Sequence, residues 1–269
     1  MNILLLGDIV GPSGRKAISE KLPELIEKKK IDFVIANGEN AGDMGVGITK
    51  KIFNEFIEAG ADVVTTGNHV WDEKEAMEFI ISESRLLRPE NLTKGSPGNG
   101  YGIFISKNKK KVAVINLMGN IFMKKSEDVF ESAKKFIQTT KLKRDADFIV
   151  VDIHGEITSE KMAMGYFFDG KATMVVGTHT HVPTSDHRIL EKGTAYQTDI
   201  GMCGDYNSVI GMNRDNSLKK FFKDSSAKKH YPALGEGTIS GLMVQGDEET
   251  GLAIRVEPII VGGDLESRI

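Results

Sequence analysis

The sequence predicts an α/β fold, a layered sandwich built on a largely parallel sheet. Three observations carry that expectation. Short apolar runs rich in Val and Ile recur along the chain, continuous rather than alternating, as strands buried on both faces require. Amphipathic stretches of helical length separate them, which implies parallel strands joined by right-handed crossovers. Towards the C-terminus, strand-like runs follow one another across turns, so antiparallel strands either complete the sheet or form a second one.

In chain order, residues 3–6, 33–36, 63–66, 112–117, 148–153 and 174–176 read as the buried strands. Helices are expected over 14–29, 49–59, 73–83, 126–140 and 159–168. Ser13 is placed to cap the first helix and Thr49 the second. Asp72 and Glu75 have capping-box spacing for the third, and Ser126 precedes Glu127 and Asp128 in the first turn of the fourth. Residues 194–199, 238–247 and 251–261 read as the late strands, with Asp247-Glu248-Glu249-Thr250-Gly251 as a hairpin turn. The polar segment 207–236, which carries Lys219, Lys220, Lys223, Lys228 and Lys229, reads as a solvated loop-and-helix excursion rather than a nucleic-acid patch. No linker or repeat divides the chain, so residues 1–269 are expected to form a single domain.

At 269 residues the chain is near the upper size of a single hydrophobic core. Its 40% hydrophobic and 27% charged residues suit a soluble globular protein and exclude a disordered one. A net charge of -3 and a pI near 6.1 argue against duplex nucleic acid or an anionic membrane surface as the main partner. The only cysteine, Cys203, excludes an intrachain disulfide and fits a reducing compartment. Asp8 stops the opening apolar run, which reads as a strand rather than a signal peptide. No run approaches the ~18 to 20 apolar residues of a membrane span. A cytoplasmic protein is expected.

In parallel α/β sheets, function gathers beyond the carboxyl ends of the strands. Five runs end in chemically competent residues: Gly7-Asp8, Asn37-Gly38-Glu39-Asn40, Gly67-Asn68-His69, His154, and Gly177-Thr178-His179-Thr180-His181. Four of the six histidines fall there. His179 and His181, at i and i+2 of an extended chain, would face one point. Asp8, Glu39, Asn40, Asn68, His154, His179 and His181 offer carboxylate, amide and imidazole donors, a set suited to Fe, Mn or Zn. Seven donors are too many for one tetrahedral ion but suit two ions about 3.5–4 Å apart sharing a carboxylate. Such a pair binds a phosphoryl group and lowers the pKa of a bridging water, which is the chemistry of phosphoester hydrolysis.

Each residue also has a structural reading. Asp8 could cap a loop, Glu39 and Asn40 could serve a turn, His69 could pack beside Trp71, and His154 could be a satisfied polar group beside Asp152. Five such coincidences at one sheet edge weigh against the structural readings taken together. Gly11-Pro12-Ser13-Gly14-Arg15-Lys16 lacks phosphate-loop spacing and reads as a turn and helix start. His187 and His230 follow no comparable run and are expected at the surface. Cys203 has no partner residue for a nucleophilic role.

The motifs GDIVG at 7–11, NGENA at 37–41, GNHVWD at 67–72, RPENL at 88–92, VDIHGEITSEK at 151–161, VVGTHTHVPT at 175–184 and TDIGMCGDYNSVIGM at 198–212 resemble the calcineurin-like metallophosphoesterases, and within them the bacterial YmdB-type branch. The resemblance implies a four-layered α/β/β/α sandwich, a dinuclear centre, and hydrolysis of 2′,3′-cyclic nucleotides with phosphatase activity on some substrates. Carried over by position, one metal takes Asp8, Glu39, Asn40 and His181. The other takes Glu39, Asn68, His154 and His179, with Glu39 bridging. His69 is then the non-ligand histidine that donates a proton to the leaving oxygen or stabilises the phosphoryl group, roles suited to an imidazole near neutrality. Fe and Mn are the expected metals, with Zn as a third choice.

The superfamily's first motif, DxH, reads Asp8-Ile9-Val10 here, and Asn40 is expected to replace the missing histidine. His154-Gly155-Glu156 has Gly where the branch has Ala, which should loosen that loop without affecting the ligand. Gly42-Asp43-Met44-Gly45 departs from the branch's glycine-rich form, a difference that bears on substrate preference. Two other functions fit the residues: a metal-dependent phosphomonoesterase, and a nucleotide- or RNA-linked regulatory sensor with incidental turnover. The expected partner is a small nucleotide substrate, and symmetry favours an even-numbered homo-oligomer.

Overall fold

In the computed structural model, which describes residues 1–268, the first apolar run forms β1 (Asn2–Leu6) and continues past Gly7 into β2 (Asp8–Ile9). Then come α1 (Gly11–Lys29), β3 (Phe33–Asn37), α2 (Lys50–Glu58), β4 (Val63–Thr65), α3 (Ala76–Phe79) and β5 (Leu86–Leu87). The middle of the chain gives β6 (Tyr101–Ile105), β7 (Lys111–Met118), α4 (Val129–Thr139), β8 (Phe148–His154), α5 (Thr158–Phe168) and β9 (Met174–Thr178). The last part gives β10 (Arg188–Ile189), β11 (Ala195–Gln197), β12 (Met202–Cys203), α6 (Arg214–Phe221), β13 (Ile239–Gly246) and β14 (Ala253–Val261).

Twelve of these strands build two six-stranded sheets, in the orders β14-β13-β1-β3-β4-β5 and β10-β11-β9-β8-β7-β6, and β12 and β2 pair in a third, two-stranded one. The expectation of one central sheet is therefore corrected: residues 112–117, 148–153 and 174–176 pair with one another and never with β1. The late strands divide between both expected outcomes. β13 and β14 complete the first sheet antiparallel to β1, while β11 joins the second parallel to β9.

The sheets face each other across a core of Ile3, Leu5, Phe33 and Ile35 from one and Val112, Val114, Phe148 and Val150 from the other. The alternate residues Leu4, Leu6, Val34 and Ala36 pack beneath α1 and α2. Ala113, Ile115, Ile149 and Val151 pack beneath α4 and α5. The result is the four-layered α/β/β/α sandwich, and it explains the continuous apolar runs. With an inner core on one face and helices on the other, both faces of each central strand are buried, each large apolar side chain contributing roughly 1.5–3 kcal/mol.

Several local expectations are revised. α1 begins at Gly11, with Pro in its first turn, so Ser13 lies inside the helix; its hydroxyl donates to the Ala233 and Gly235 carbonyls instead of capping. Thr49 does cap α2, accepting from Ile52 N. The helix expected over 73–83 is reduced to one turn, Ala76–Phe79, and Asp72 does not cap it but meets His69 Nδ1 instead. Asp128, not Ser126, caps α4 by accepting from Glu131 N. β6 was not foreseen; its residues lack a fully buried face because it lies at a sheet edge. The hairpin turn is as expected, with Asp247 Oδ1 accepting from the backbone of Glu249 and Thr250.

Candidate metal centre

β1, β3, β4, β8 and β9 run parallel within their sheets, so their carboxyl ends deliver Asp8, Glu39, Asn40, Asn68, His154, His179 and His181 to one end of the sandwich. All seven come together there. Asp8 sits on β2, which is anchored by parallel pairing with β12 through Met202 opposite Asp8. Asp8, Glu39, Asn40, His154 and His181 are buried.

The donor atoms fall into two groups. His154 Nε2 lies 2.9 Å from Glu39 Oε1, 3.1 Å from Asn68 Oδ1 and 3.1 Å from His179 Nδ1. His181 Nε2 lies 3.2 Å from Asn40 Oδ1 and 4.0 Å from Asp8 Oδ1. The close approach within the first group depends on a missing side chain: a Cβ on Gly67 would overlap Glu39 Oε2 and the His154 ring.

Each histidine has its far nitrogen committed. His154 Nδ1 is 2.9 Å from Thr178 Oγ1, whose hydroxyl donates to Asp152 Oδ1 at 2.7 Å, so the imidazole must be the donor in the first contact. His181 Nδ1 donates to the Ile210 carbonyl at 2.8 Å. His179 Nε2 lies 3.3 Å from Glu156 Oε2. Acceptors behind the rings fix their tautomers and leave the inward nitrogens available as ligands.

The pair His179 and His181 does not follow the extended-chain geometry expected of it. β9 ends at Thr178, and the two histidines have φ of 99° and 65°, in the left-handed region that non-glycine residues seldom adopt. Instead of facing one point they reach separate donor groups. Thr180 turns the other way, its N–H and hydroxyl both donating to Asp199 Oδ2. Asp199 in turn holds Lys161 Nζ at 2.8 Å in the protein interior.

The electrostatics suit a cation. Burial raises the Asp8 carboxyl to about 6, aided by the charges of Glu39 and Asp199 and opposed by His181 and His154. Burial also works against charge on Glu39 and His154, but their mutual attraction prevails: Glu39 is held down at about 2 and His154 pushed up to about 9. Burial and the neighbouring His154 charge bring His179 down to about 3. Without metal, one buried proton on His154 stands where positive charge is needed. Asp8 Oδ1 is buried with no hydrogen-bond partner, an expensive condition that a cation would relieve. With three imidazoles, two carboxylates and two amide oxygens, the residues present fit metal ions that take nitrogen and oxygen ligands.

His69 is half-buried beside this cluster. Its backbone N–H donates to Glu39 Oε2 at 3.1 Å and its Nδ1 lies 2.7 Å from Asp72 Oδ2. Lys124 Nζ bonds the Asn68 carbonyl at 2.6 Å and Asp72 Oδ1 at 3.4 Å. A cleft of about 330 Å³ opens over the cluster, lined by Glu39, His69, Glu156, His179, Ile210 and Met212 among others.

A family model described as YmdB-like protein matches residues 4–259. The chain belongs to the YmdB-like family. A protein of Bacillus subtilis (strain 168) named 2′,3′-cyclic-nucleotide 2′-phosphodiesterase is 44% identical over 264 residues, covering 98% of each chain. A putative phosphatase/phosphodiesterase of Mycoplasma pneumoniae is 37% identical over 98% of this chain and 94% of its own. Among solved structures, one described as a novel phosphatase from Mycoplasma pneumoniae superposes with a TM-score of 0.88 at 36% identity, covering 97% of this chain and 93% of that one. The metallophosphoesterase sandwich read from the motifs is thus also the fold of its relatives.

In this YmdB-like chain the Gly155 departure is sterically neutral: the nearest atom to an added Cβ is 3.6 Å away, so alanine would fit. Sequence reasoning missed Asp72 as the partner of His69, Thr178 and Asp152 behind His154, and the Lys161–Asp199 pair. The His-x-x-Asp spacing across one turn was a usable signal for the first; the others meet only through the fold. His187, expected at the surface, is half-buried, whereas His230 is exposed. Cys203 is fully buried on β12.

Proposed function

We propose that this YmdB-like chain is a dinuclear metal-dependent phosphodiesterase of 2′,3′-cyclic nucleotides, acting as one domain. The observation that carries the reading is the convergence of two donor groups on buried Asp8 and Glu39, with every histidine's far nitrogen already committed. The activity named for the Bacillus subtilis relative supports the substrate class. One ion would be held by Asp8, Glu39, Asn40 and His181, and the other by Glu39, Asn68, His154 and His179. Fe or Mn suits this set best, and Zn is chemically acceptable. Bound there, the ions would supply positive charge for the phosphoryl oxygens and an acidified water as nucleophile.

The chain's own residues orient the substrate and handle the proton. Val46, Ile210 and Met212 give the cleft an apolar side against which a base can lie. As water adds to phosphorus and the P–O2′ bond breaks, His69 delivers a proton to O2′, leaving a nucleoside 3′-phosphate. Asp72, 2.7 Å from Nδ1, orients the imidazole. Lys124 holds both Asp72 and the backbone of Asn68.

The test is hydrolysis of 2′,3′-cyclic AMP with Mn²⁺ or Fe²⁺ by wild type, His69→Ala and Asp8→Ala. Loss of turnover in both variants is expected, and undiminished turnover in both would overturn the mechanism. A phosphomonoesterase is the second reading, favoured by the phosphatase descriptions of the Mycoplasma pneumoniae relatives. Comparing the cyclic diester with 3′- and 5′-monophosphates separates the two. A cytoplasmic location and an even-numbered homo-oligomer belong to the same proposal.

A further inference from the structure

Residues 213–231 lie within the segment whose sequence reads as a solvated excursion rather than a nucleic-acid patch. They carry six basic side chains against two acidic ones in a chain whose net charge is -3, and the exposed aromatic pair among them revises that reading. α6 forms the first half of this segment, and the three- and four-residue spacing of Leu218, Phe221 and Phe222 puts them on one side of it. That side is uncovered: Phe221 is 77% and Phe222 82% exposed. Two adjacent phenylalanines so far from any core gain almost nothing from folding.

The segment is nevertheless held in place. Asn216 Nδ2 donates to the Lys228 and Lys229 carbonyls at 3.2 and 3.3 Å, and Asn216 Oδ1 accepts from Lys228 N at 2.8 Å. These bonds tie the Lys228-Lys229 backbone to α6, while Lys219, Lys220 and Lys223 surround the aromatic pair in sequence. Among the described residues, no carboxylate lies within 4.0 Å of any of these five ammonium groups. The residues just before this segment wall the candidate centre: Ile210 accepts from His181, Ile210 and Met212 line the cleft, and α6 begins two positions later at Arg214.

We propose that this aromatic and basic surface binds single-stranded RNA, and that the substrate is an oligoribonucleotide ending in a 2′,3′-cyclic phosphate. The inference rests on the phosphodiesterase reading above and names its substrate class. A 2′,3′-cyclic phosphate arises at an RNA 3′ end when a 2′-hydroxyl attacks its own 3′-phosphodiester, so this ester is formed on a strand. A cleft of about 330 Å³ suits the terminal nucleotide, and the strand on its 5′ side must leave over the rim. α6 starts two residues after Met212 of the cleft wall and extends for about 12 Å. Exposed rings stack bases without regard to sequence, and unpaired lysines attract the phosphates. A duplex hides its base faces from such rings, which restricts the occupant to a single strand. The reaction is unchanged: water adds at phosphorus, the P–O2′ bond breaks, and O2′ takes the proton.

The experiment compares metal-loaded wild type with Phe221→Ala/Phe222→Ala and with Lys219→Gln/Lys220→Gln/Lys223→Gln. Turnover is measured on 2′,3′-cyclic AMP and on a short oligoadenylate ending in the cyclic phosphate. Fluorescence anisotropy of the same oligoadenylate with a 3′-hydroxyl end reports binding without turnover. Wild type should show kcat/KM for the oligomer at least about tenfold above that for cyclic AMP, and the phenylalanine variant should lose about 10- to 100-fold on the oligomer alone. Binding should weaken with added salt and in the lysine variant. Equal kcat/KM for the two substrates in wild type, or variants that handle the oligomer like wild type, would overturn the proposal. So would phenylalanine-dependent sedimentation with phosphatidylserine vesicles, or a change in oligomeric state on mutation, if the oligoadenylate does not bind. Should wild type hydrolyse neither substrate, the phosphodiesterase reading fails, while anisotropy still decides whether the surface takes RNA.

Discussion

Lys161 and Asp199 form an ion pair of 2.8 Å in which neither side chain reaches solvent. Lys161 Nζ also donates to the Thr178 carbonyl, and Asp199 accepts from the Thr180 N–H, the Thr180 hydroxyl and Gly201 N. The pair thereby grips the loop in which His179 and His181 hold left-handed backbone angles. Lys161→Met leaves a buried carboxylate uncompensated and should cost about 3–5 kcal/mol in urea unfolding. Adding Asp199→Asn should cost less than the two single changes together, because the variants share one interaction.

His179→Ala and His181→Ala should remove different ions. Elemental analysis of wild type should give about two ions per chain under the two-metal reading. Each variant should retain about one. Loss of both ions from either single variant would mean that the donor groups hold metal cooperatively rather than as separate halves.

Asp72→Asn keeps a hydrogen-bond partner for His69 Nδ1 but replaces the carboxylate that orients the ring with a weaker, neutral acceptor. It should lower kcat on 2′,3′-cyclic AMP by about 10- to 100-fold, with metal content unchanged. His69→Ala should cost about 10²- to 10⁴-fold in kcat.

The metal-free protein should lose thermal stability as pH rises from about 6.5 towards 9. His154 has its pKa raised to about 9 by Glu39, Asp8 and Asp152 despite the opposing effect of burial. Its charged form therefore stabilises the fold fully below the unfolded value of 6.5 and ceases to do so above 9. Metal must displace that proton, so loading the site should remove this decline and release protons into the buffer. Differential scanning of metal-free and metal-loaded samples across this range checks both.

Burial pushes the Cys203 thiol up to about 12. The thiolate is the reactive species, so iodoacetamide at pH 8 should leave native Cys203 unlabelled and modify it only in denaturant. Mass spectrometry of the intact chain reads the result.

What the sequence determined by itself was what lies close along the chain. Apolar runs such as 33–36 and 148–153 declared strands buried on both faces, and the residues that follow them, from Asp8 to His181, declared a site at the strand ends. Thr49 was legible as a cap because capping joins residues three apart. Only the tertiary structure decided which strands pair. The periodicity of 112–117 says that it is buried, not that its neighbour is β8 rather than β1, and the division into two sheets follows from packing that no local pattern encodes. The same holds for partners far apart in sequence. Asp199 reaches Lys161 across 38 positions and His181 reaches Asn40 across 141, so their meeting depends on the stacked sheets. Even the spacing of His179 and His181 was ambiguous alone: two residues apart suggests a shared direction in a strand, but the chain leaves β9 at Thr178 and turns left-handed. Asp199 can hold that turn because burial makes each of its hydrogen bonds costly to lose.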